Sequence, residues 1–236
     1  PKGDKDWEMR MRKECTQAGR EFLYFHPAFP SKSVRLNPLK NWHNPTEIAT
    51  RIAQLLPSEG GGDAFVQFAW MTIDRIVNGL LILGIRPDIQ KIKHYTEAGV
   101  DEILDRLLDK YFLAVFGADW EKKLAAYTAK SPSRLHGKVT MYVQEGRRLQ
   151  GNEVVDGLIN TFTHDKEHFG KMILSLLPLL QMLTSGEMGE LLSPDATNLN
   201  DKRPIYDMEK IVRGGKVLYV GLDSLSNKQV GSAIGS

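Results

Sequence analysis

The sequence predicts a mainly α protein in which an all-α helical block is inserted between two α/β flanking segments that together form a small partial sheet. Two patterns predict it. From "NPTEIATRIAQLLP" to "HDKEHFGKMILSLLPLLQMLTSG", apolar residues recur at helical spacing between helix start and stop signals. Outside that stretch the chain has short runs rich in aromatic and β-branched residues: "EFLYFHP" and "SVRLNPL" before it, "KVLYVGLD" after it.

Taken in order, "DWEMRMRKECTQAG" reads as a helix with Asp6 as N-cap and Gly19 as its stop. "EFLYFHP" and "SVRLNPL" read as short strands, each ended by a proline that cannot donate to a ladder. In "NPTEIATRIAQLLP" Asn44 is the cap, Pro45 the first helical residue and Glu47 the partner that completes a capping box. After the loop "PSEGGG", a helix runs from an Asp63 cap to Gly84, with Phe65, Phe68, Ala69, Thr72, Ile76 and Leu80 at helical spacing. Helices follow in "RPDIQKIKHYTEAG", "VDEILDRLLDKYFLAVFG", "ADWEKKLAAYTA" and "SPSRLHGKVTMYVQEGRRL". In "HDKEHFGKMILSLLPLLQMLTSG" Pro178 should kink a continuous helix. "YDMEKIVRGG" is a short helix stopped by Gly214 and Gly215. "KVLYVGLD" has no alternation, the pattern of a strand buried on both faces. "SLSN" then turns the chain and "KQVGSAIGS" begins another helix.

The expected partner of "KVLYVGLD" is "EFLYFHP", because an unpaired apolar strand invites aggregation. A strand covered on both faces needs more neighbours than these runs supply. The chain also lacks an initiator Met and stops inside a helical pattern. The expectation is an excised segment, whose helical block is an insertion in a sheet with its core strands elsewhere.

The 236 residues suffice for a sizeable core, and 42% hydrophobic with 25% charged residues is ordinary for a globular protein. The single Cys15 excludes an internal disulfide framework and fits a reducing compartment. No signal peptide is visible, and "IVNGLLILGI" and "MILSLLPLLQML" are shorter than the roughly 20 residues of a bilayer span. Net charge is +2, too small to mark a nucleic-acid binder. Its distribution says more: +4 over residues 1–45, −4 over 46–196 and +2 over 197–236. An acidic middle is poorly suited to gripping a phosphate backbone.

Several motifs carry possible chemistry. His164, Glu167 and His168 fit the H-x-x-E-H zinc pattern, although a solvated helical turn matches it easily and no third ligand stands out. Lys2 and Asp4, in "PKGDKD", stand where a strand would deliver them to a loop. No G-x-x-x-x-G-K-[ST] run is present. Arg134, Lys138, Arg147 and Arg148 offer a basic face for DNA or a partner, against the alternative of a solvated surface. The aromatics Phe65, Phe68, Trp70, Tyr111, Phe112 and Phe116 are spaced for packing, and Cys15 has no evident His partner to make it a nucleophile.

Together, "PKGDKD", "FLYFHPAFPSKSVRLNPLKNWHNPTEIATRIAQLLP", "GGDAFVQFAWMTIDRIVNGLL" and "GGKVLYVGLDSLSNKQVGSAIGS" resemble the TraD-type coupling proteins of conjugative plasmids and integrative elements. These belong to the type IV secretion coupling ATPases of bacteria. The resemblance spans the chain and is most specific near its two ends. It implies a membrane-anchored, RecA-like motor that assembles as a hexameric ring and hydrolyses ATP between subunits. Residues 1–45 would then be a partial RecA-like α/β segment following the Walker A region. Residues 46–196 would be the all-α domain, and 197–236 the return to the RecA-like segment before Walker B.

The resemblance further implies that Lys2, Asp4, Asp223 and Ser224 border the nucleotide in the intact ring. The phosphate-binding Lys and the Mg2+-coordinating carboxylate are not in this chain. No cofactor, catalytic residue or ATPase activity is therefore expected of it, while ATP and Mg2+ are expected of the intact protein. The implied place is the cytoplasmic face of the bacterial inner membrane, with channel and membrane contacts made by other parts. The implied partners are relaxase and accessory relaxosome proteins, with loops such as "PSEGGG" and "AKSPSRLHGK" carrying recognition. A competing function is direct DNA binding through Arg134, Lys138, Arg147 and Arg148, as in the helical domains of site-specific recombinases. A more remote one is a zinc hydrolase built on His164, Glu167 and His168.

Overall fold

The computed structural model describes residues 5–56 and 63–221. Lys2, Asp4, Asp223 and Ser224, the loop "PSEGGG" and the expected closing turn and helix lie outside the described residues. The protein is mainly helical, with a small content of parallel strands.

Helix α1 (Lys5–Gln17) includes Asp6 within its first turn, so Asp6 is not the cap the sequence suggested. Gly19 ends the helix at φ 63, and Arg20 N–H reaches back to the Cys15 carbonyl at 2.8 Å. Strand β1 (Phe22–Phe25) follows, then a 3-10 turn (Pro30–Lys32) and the two-residue strand β2 (Arg35–Leu36). Helix α2 (Thr46–Ala53) starts with Pro45 already in helical conformation, and Asn44 and Glu47 make a variant of the expected capping box in which the Asn44 side chain takes the Thr46 N–H. Asn44 Oδ1 accepts from Thr46 N–H at 3.1 Å, and Glu47 Oε1 accepts from Asn44 N–H at 3.2 Å.

The strands of the two ends meet. Strand β4 (Val217–Val220) pairs in parallel with β1, from Phe22↔Val217 to Phe25↔Val220. Strand β3 (Ile205–Tyr206) pairs in parallel with β2. Parallel strands cannot be joined by a tight turn; here the connection is the whole helical block. The burial expected of "KVLYVGLD" is not met: Val217, Leu218 and Tyr219 are half-buried and Val220 is exposed. Among the described residues β1 is the one strand beside β4, so one edge of β4 is paired and the other has no strand neighbour.

Helix α3 (Asp63–Ile82) is the backbone of the block. One side of it, through Ala69, Ile73 and Val77, joins a core with α2, α4 (Ile89–Ala98), α11 (Leu176–Thr184), α12 (Gly186–Leu192) and the strands. Its other side, through Ile76 and Leu80, enters a second core with α5 (Asp101–Phe116), α6 (Trp120–Thr128), α7 (Arg134–Met141) and α9 (Glu153–Phe162). Length and composition alone would let Ala64–Ile82 span a bilayer. In the fold, Ile73, Ile76, Val77 and Leu80 have no exposed surface, and protein surrounds them. Of the aromatics expected to pack, Phe65 is exposed instead.

Two departures from the expected helices have local causes. The stretch around Pro178 is broken rather than kinked, into α10 (Lys166–Met172) and α11, with the break at residues 173–175. Pro178 is the third residue of α11, where the N–H it lacks would have had no helical partner. A continuous helix would instead have driven its ring against the Leu174 carbonyl. After α7 a wider π turn (Tyr142–Gly146) leads into α8 (Arg147–Leu149). The Tyr111 hydroxyl lies 2.8 Å from the Gly146 carbonyl and 2.7 Å from the Gln150 carbonyl, either of which can accept its one proton, and Gly146 O also accepts from Gln150 N–H at 2.9 Å. A short helix, α13 (Met208–Arg213), precedes β4 and is capped by Asp207, which accepts from Lys210 N–H at 2.9 Å.

Candidate functional site

In parallel α/β sheets ligands gather outside the carboxyl ends of the strands, because the loops that can hold them leave there. In this protein that edge begins at His26 and Gly221, the residues directly after β1 and β4. Gly221 N–H donates to the Phe25 carbonyl at 2.8 Å and carries the ladder one residue past the strands. Leu23, Phe25 and Leu218 turn into the first core. On the sheet's other face Tyr24 stacks on Tyr219 (5.8 Å, 4°) and on His26 (6.1 Å, 18°), with α1 contributing Arg12 over Phe22 at 4.7 Å.

His26 is 7% exposed and held on several sides. Its N–H donates to Ser33 Oγ at 2.9 Å, and that hydroxyl, 2% exposed, lies 3.0 Å from the His26 carbonyl and 2.9 Å from the Phe29 carbonyl. Ala28 N–H donates to His26 Nδ1 at 3.1 Å. A nitrogen that accepts carries no proton, so the neutral imidazole bears its proton on Nε2. The Cδ2–Nε2 edge of the ring lies against Gly221, and a Cβ at residue 221 would overlap it. The sequence points to Asp223 and Ser224, the next polar residues in this chain; it does not single out His26 or Ser33. The readable signal was a histidine directly following a strand.

The four residues of the candidate basic face do not form one free basic surface. Lys138 is 1% exposed, with its ammonium 2.6 Å from Asp105 and 2.5 Å from Asp109 on α5. It cannot reach a partner without leaving the core. Arg134 is paired with Glu121 at 2.9 Å, and Arg147 with Asp156 at 2.6 Å. Among the described residues Arg148 alone of the four lacks an ion-pair partner. Three of the four charges are thus neutralised by acids of the same block, through a long-range arrangement that spacing along the chain does not reveal.

The H-x-x-E-H pattern, a weak zinc candidate in the sequence, does not bring its two histidines onto one helix. His164 precedes Asp165, the cap of α10, so the two histidines do not share a helix. Their rings stack at 5.2 Å and 10°. Glu167 pairs with Lys171 at 2.6 Å, and Asp165 accepts from His168 N–H at 2.7 Å. Among the described residues no three His, Cys, Asp or Glu side chains gather as metal ligands.

The seam between flanks and block is fastened by ions. Arg35, buried on β2, donates to the carbonyls of Asp201 (3.1 Å) and Arg203 (2.6 Å). Arg203 in turn reaches the Asp201 carboxylate (2.6 Å), Glu190 on α12 (2.7 Å) and the Pro30 carbonyl (2.8 Å). The Arg203 guanidinium holds the Asp201 carboxyl down at about 2, while its own value rises. Beside this clasp lie a cleft of ≈ 580 Å³, rimmed by Arg86, Asp88, Lys91 and Asp195, and an apolar one of ≈ 390 Å³ lined by Leu39, Ile52, Leu183 and Met208. The polar rim is internally satisfied: Asp88 accepts from Lys91, and Asp195 from Thr197.

Compared with protein-family models, curated proteins and solved structures, the chain finds no significant match in any of the three.

Proposed function

We propose that this protein is the substrate-recognition part of a conjugative DNA-transfer coupling ATPase of the TraD type. Its all-α block docks relaxase or accessory relaxosome proteins, and its flanking strands belong to the motor's RecA-like sheet. The observation that carries this reading is the parallel pairing of β1 with β4, which come from opposite ends of the chain with the helices between them. A helical block inserted between two strands of one parallel sheet has that form. The exposure of β4 agrees with a strand that takes further neighbours in a larger sheet. Nucleotide, with Mg2+, would then lie at the carboxyl edge near Lys2, Asp4, Asp223 and Ser224, in an intact hexameric protein at the inner membrane.

Docking of proteins is favoured over direct DNA binding by the fate of the basic face. Counterion release on a duplex needs free Lys and Arg; Lys138 is buried against two acids, and Arg134 and Arg147 are each paired with an acid of the same block. Fluorescence anisotropy of labelled single- and double-stranded DNA across a salt series tests this. The expected outcome is no binding at low salt, with relaxase the next partner to titrate. Tight binding that falls steeply with salt would transfer the function to DNA contact.

A further inference from the structure

We propose that the two clefts beside the seam form one groove, and that it takes a segment of a partner protein in which an apolar side chain stands close to a carboxylate. This deepens the reading of the block as a protein-docking module and rests on it. The clefts are continuous, because Asn37, Ile89 and Leu192 line both. Their volumes, ≈ 580 and ≈ 390 Å³, lie within the roughly 300–1,000 Å³ of pockets that hold ligands. The apolar end opens between the flanks, which contribute Leu39 and Met208, and the block, which contributes Ile52 and Leu183. Leu39, Ile52 and Leu183 belong to the first core, while Met208, 54% exposed, stands nearer solvent.

Charge selects the occupant. At the polar end the acids are already engaged, Asp88 by Lys91 and Asp195 by Thr197. The exposed Arg86 has no acid partner among the described residues. It donates one N–H to the Lys40 carbonyl, which holds the guanidinium on the turn that also carries Leu39. Asn37 Oδ1 accepts from Leu39 N–H at 3.2 Å, so its amide NH2 group is left to donate. A cation and an amide donor beside an apolar cleft fit a segment that places leucine or methionine next to aspartate or glutamate. A basic segment would instead set like charges together at Arg86.

Phage-displayed random peptides selected on the purified chain supply the probe, and methyl-labelled protein maps where the selected peptides bind. They are expected to pair an apolar residue with Asp or Glu and to shift the methyl resonances of Leu39, Ile52 and Leu183, a measurement that needs no variant to fold. Arg86→Glu is expected to weaken them by about tenfold. Met208→Glu, which sets a charge at the apolar end, is expected to do the same, and both exposed-site variants to melt as the wild type does. No enriched peptide, peptides that map elsewhere or lack an acid, or binding unchanged by Arg86→Glu would overturn the proposal. So would contacts in the free protein from those methyl groups to residues 222–236 or to a second copy of the chain. The docking reading fails separately. A relaxase that binds wild type and Arg86→Glu equally leaves docking without this groove, whereas acidic peptides bound here with no relaxase bound leave the groove without that partner.

Discussion

Lys138 sits on α7 between Asp105 and Asp109 of α5, with an almost fully buried side chain and two half-exposed carboxylates around it. Replacing it by methionine would fill the space but leave two acids facing each other one helical turn apart. Removing one partner of a buried pair costs roughly 3–5 kcal/mol, and solvent access to the carboxylates lowers this to about 2 kcal/mol. Urea unfolding of Lys138→Met is expected to show that loss. Arg148→Ala, on an exposed residue with no ion pair among the described residues, is expected to stay within about 0.5 kcal/mol of wild type. Equal losses in the two variants would contradict the burial of the Lys138 charge.

Among the elements, the clasp that joins β2, α12 and the 201–204 segment titrates in acid. The Asp201 carboxyl drops from the ordinary 3.8 to about 2, chiefly through its hydrogen bonds from Arg203. The folded state thus binds this proton less readily than the unfolded state. Its contribution is complete above about pH 4–5 and is lost as pH falls from about 4 through 2, on the order of 1–2 kcal/mol. Stability of the wild type is expected to fall over that window, and Asp201→Asn to be less stable at neutral pH with a shallower acid limb. An acid limb of unchanged slope in Asp201→Asn would remove the clasp from this account.

For the molecule as a whole, α3 is shared by two cores. Ile73 belongs to the core of α2, α11 and the strands, and Ile76 to that of α5 and α9. Ile73→Ala and Ile76→Ala each delete a fully buried side chain and are expected to cost about 2–5 kcal/mol. Native-state hydrogen exchange should separate them: Ile73→Ala speeds exchange mainly in α2 and α11, Ile76→Ala mainly in α5 and α9. Uniform acceleration in both would make the two cores one cooperative unit. Because the first core contains Leu23, Phe25, Leu36 and Ile211 beside Ile48 and Leu180, the flanks and the near half of the block share one interior.

The sequence by itself determined the helices and most of their ends, because caps, glycines of positive φ and apolar spacing act within one or two turns. The Asn44–Glu47 box and the stops at Gly19 and Gly84 were readable for that reason. It also determined that "EFLYFHP" and "KVLYVGLD" are partners, since two apolar strands have little else to pair with. Which charges are spent internally was settled only by tertiary structure. Lys138 and Arg134 lie four residues apart and look alike in sequence, yet one faces α5 and the other solvent. The break before Pro178 and the exposure of β4 were also tertiary outcomes, as was the meeting of His26 with Gly221. Each depends on which surfaces long-range packing brings together, and spacing along the chain carries no record of that.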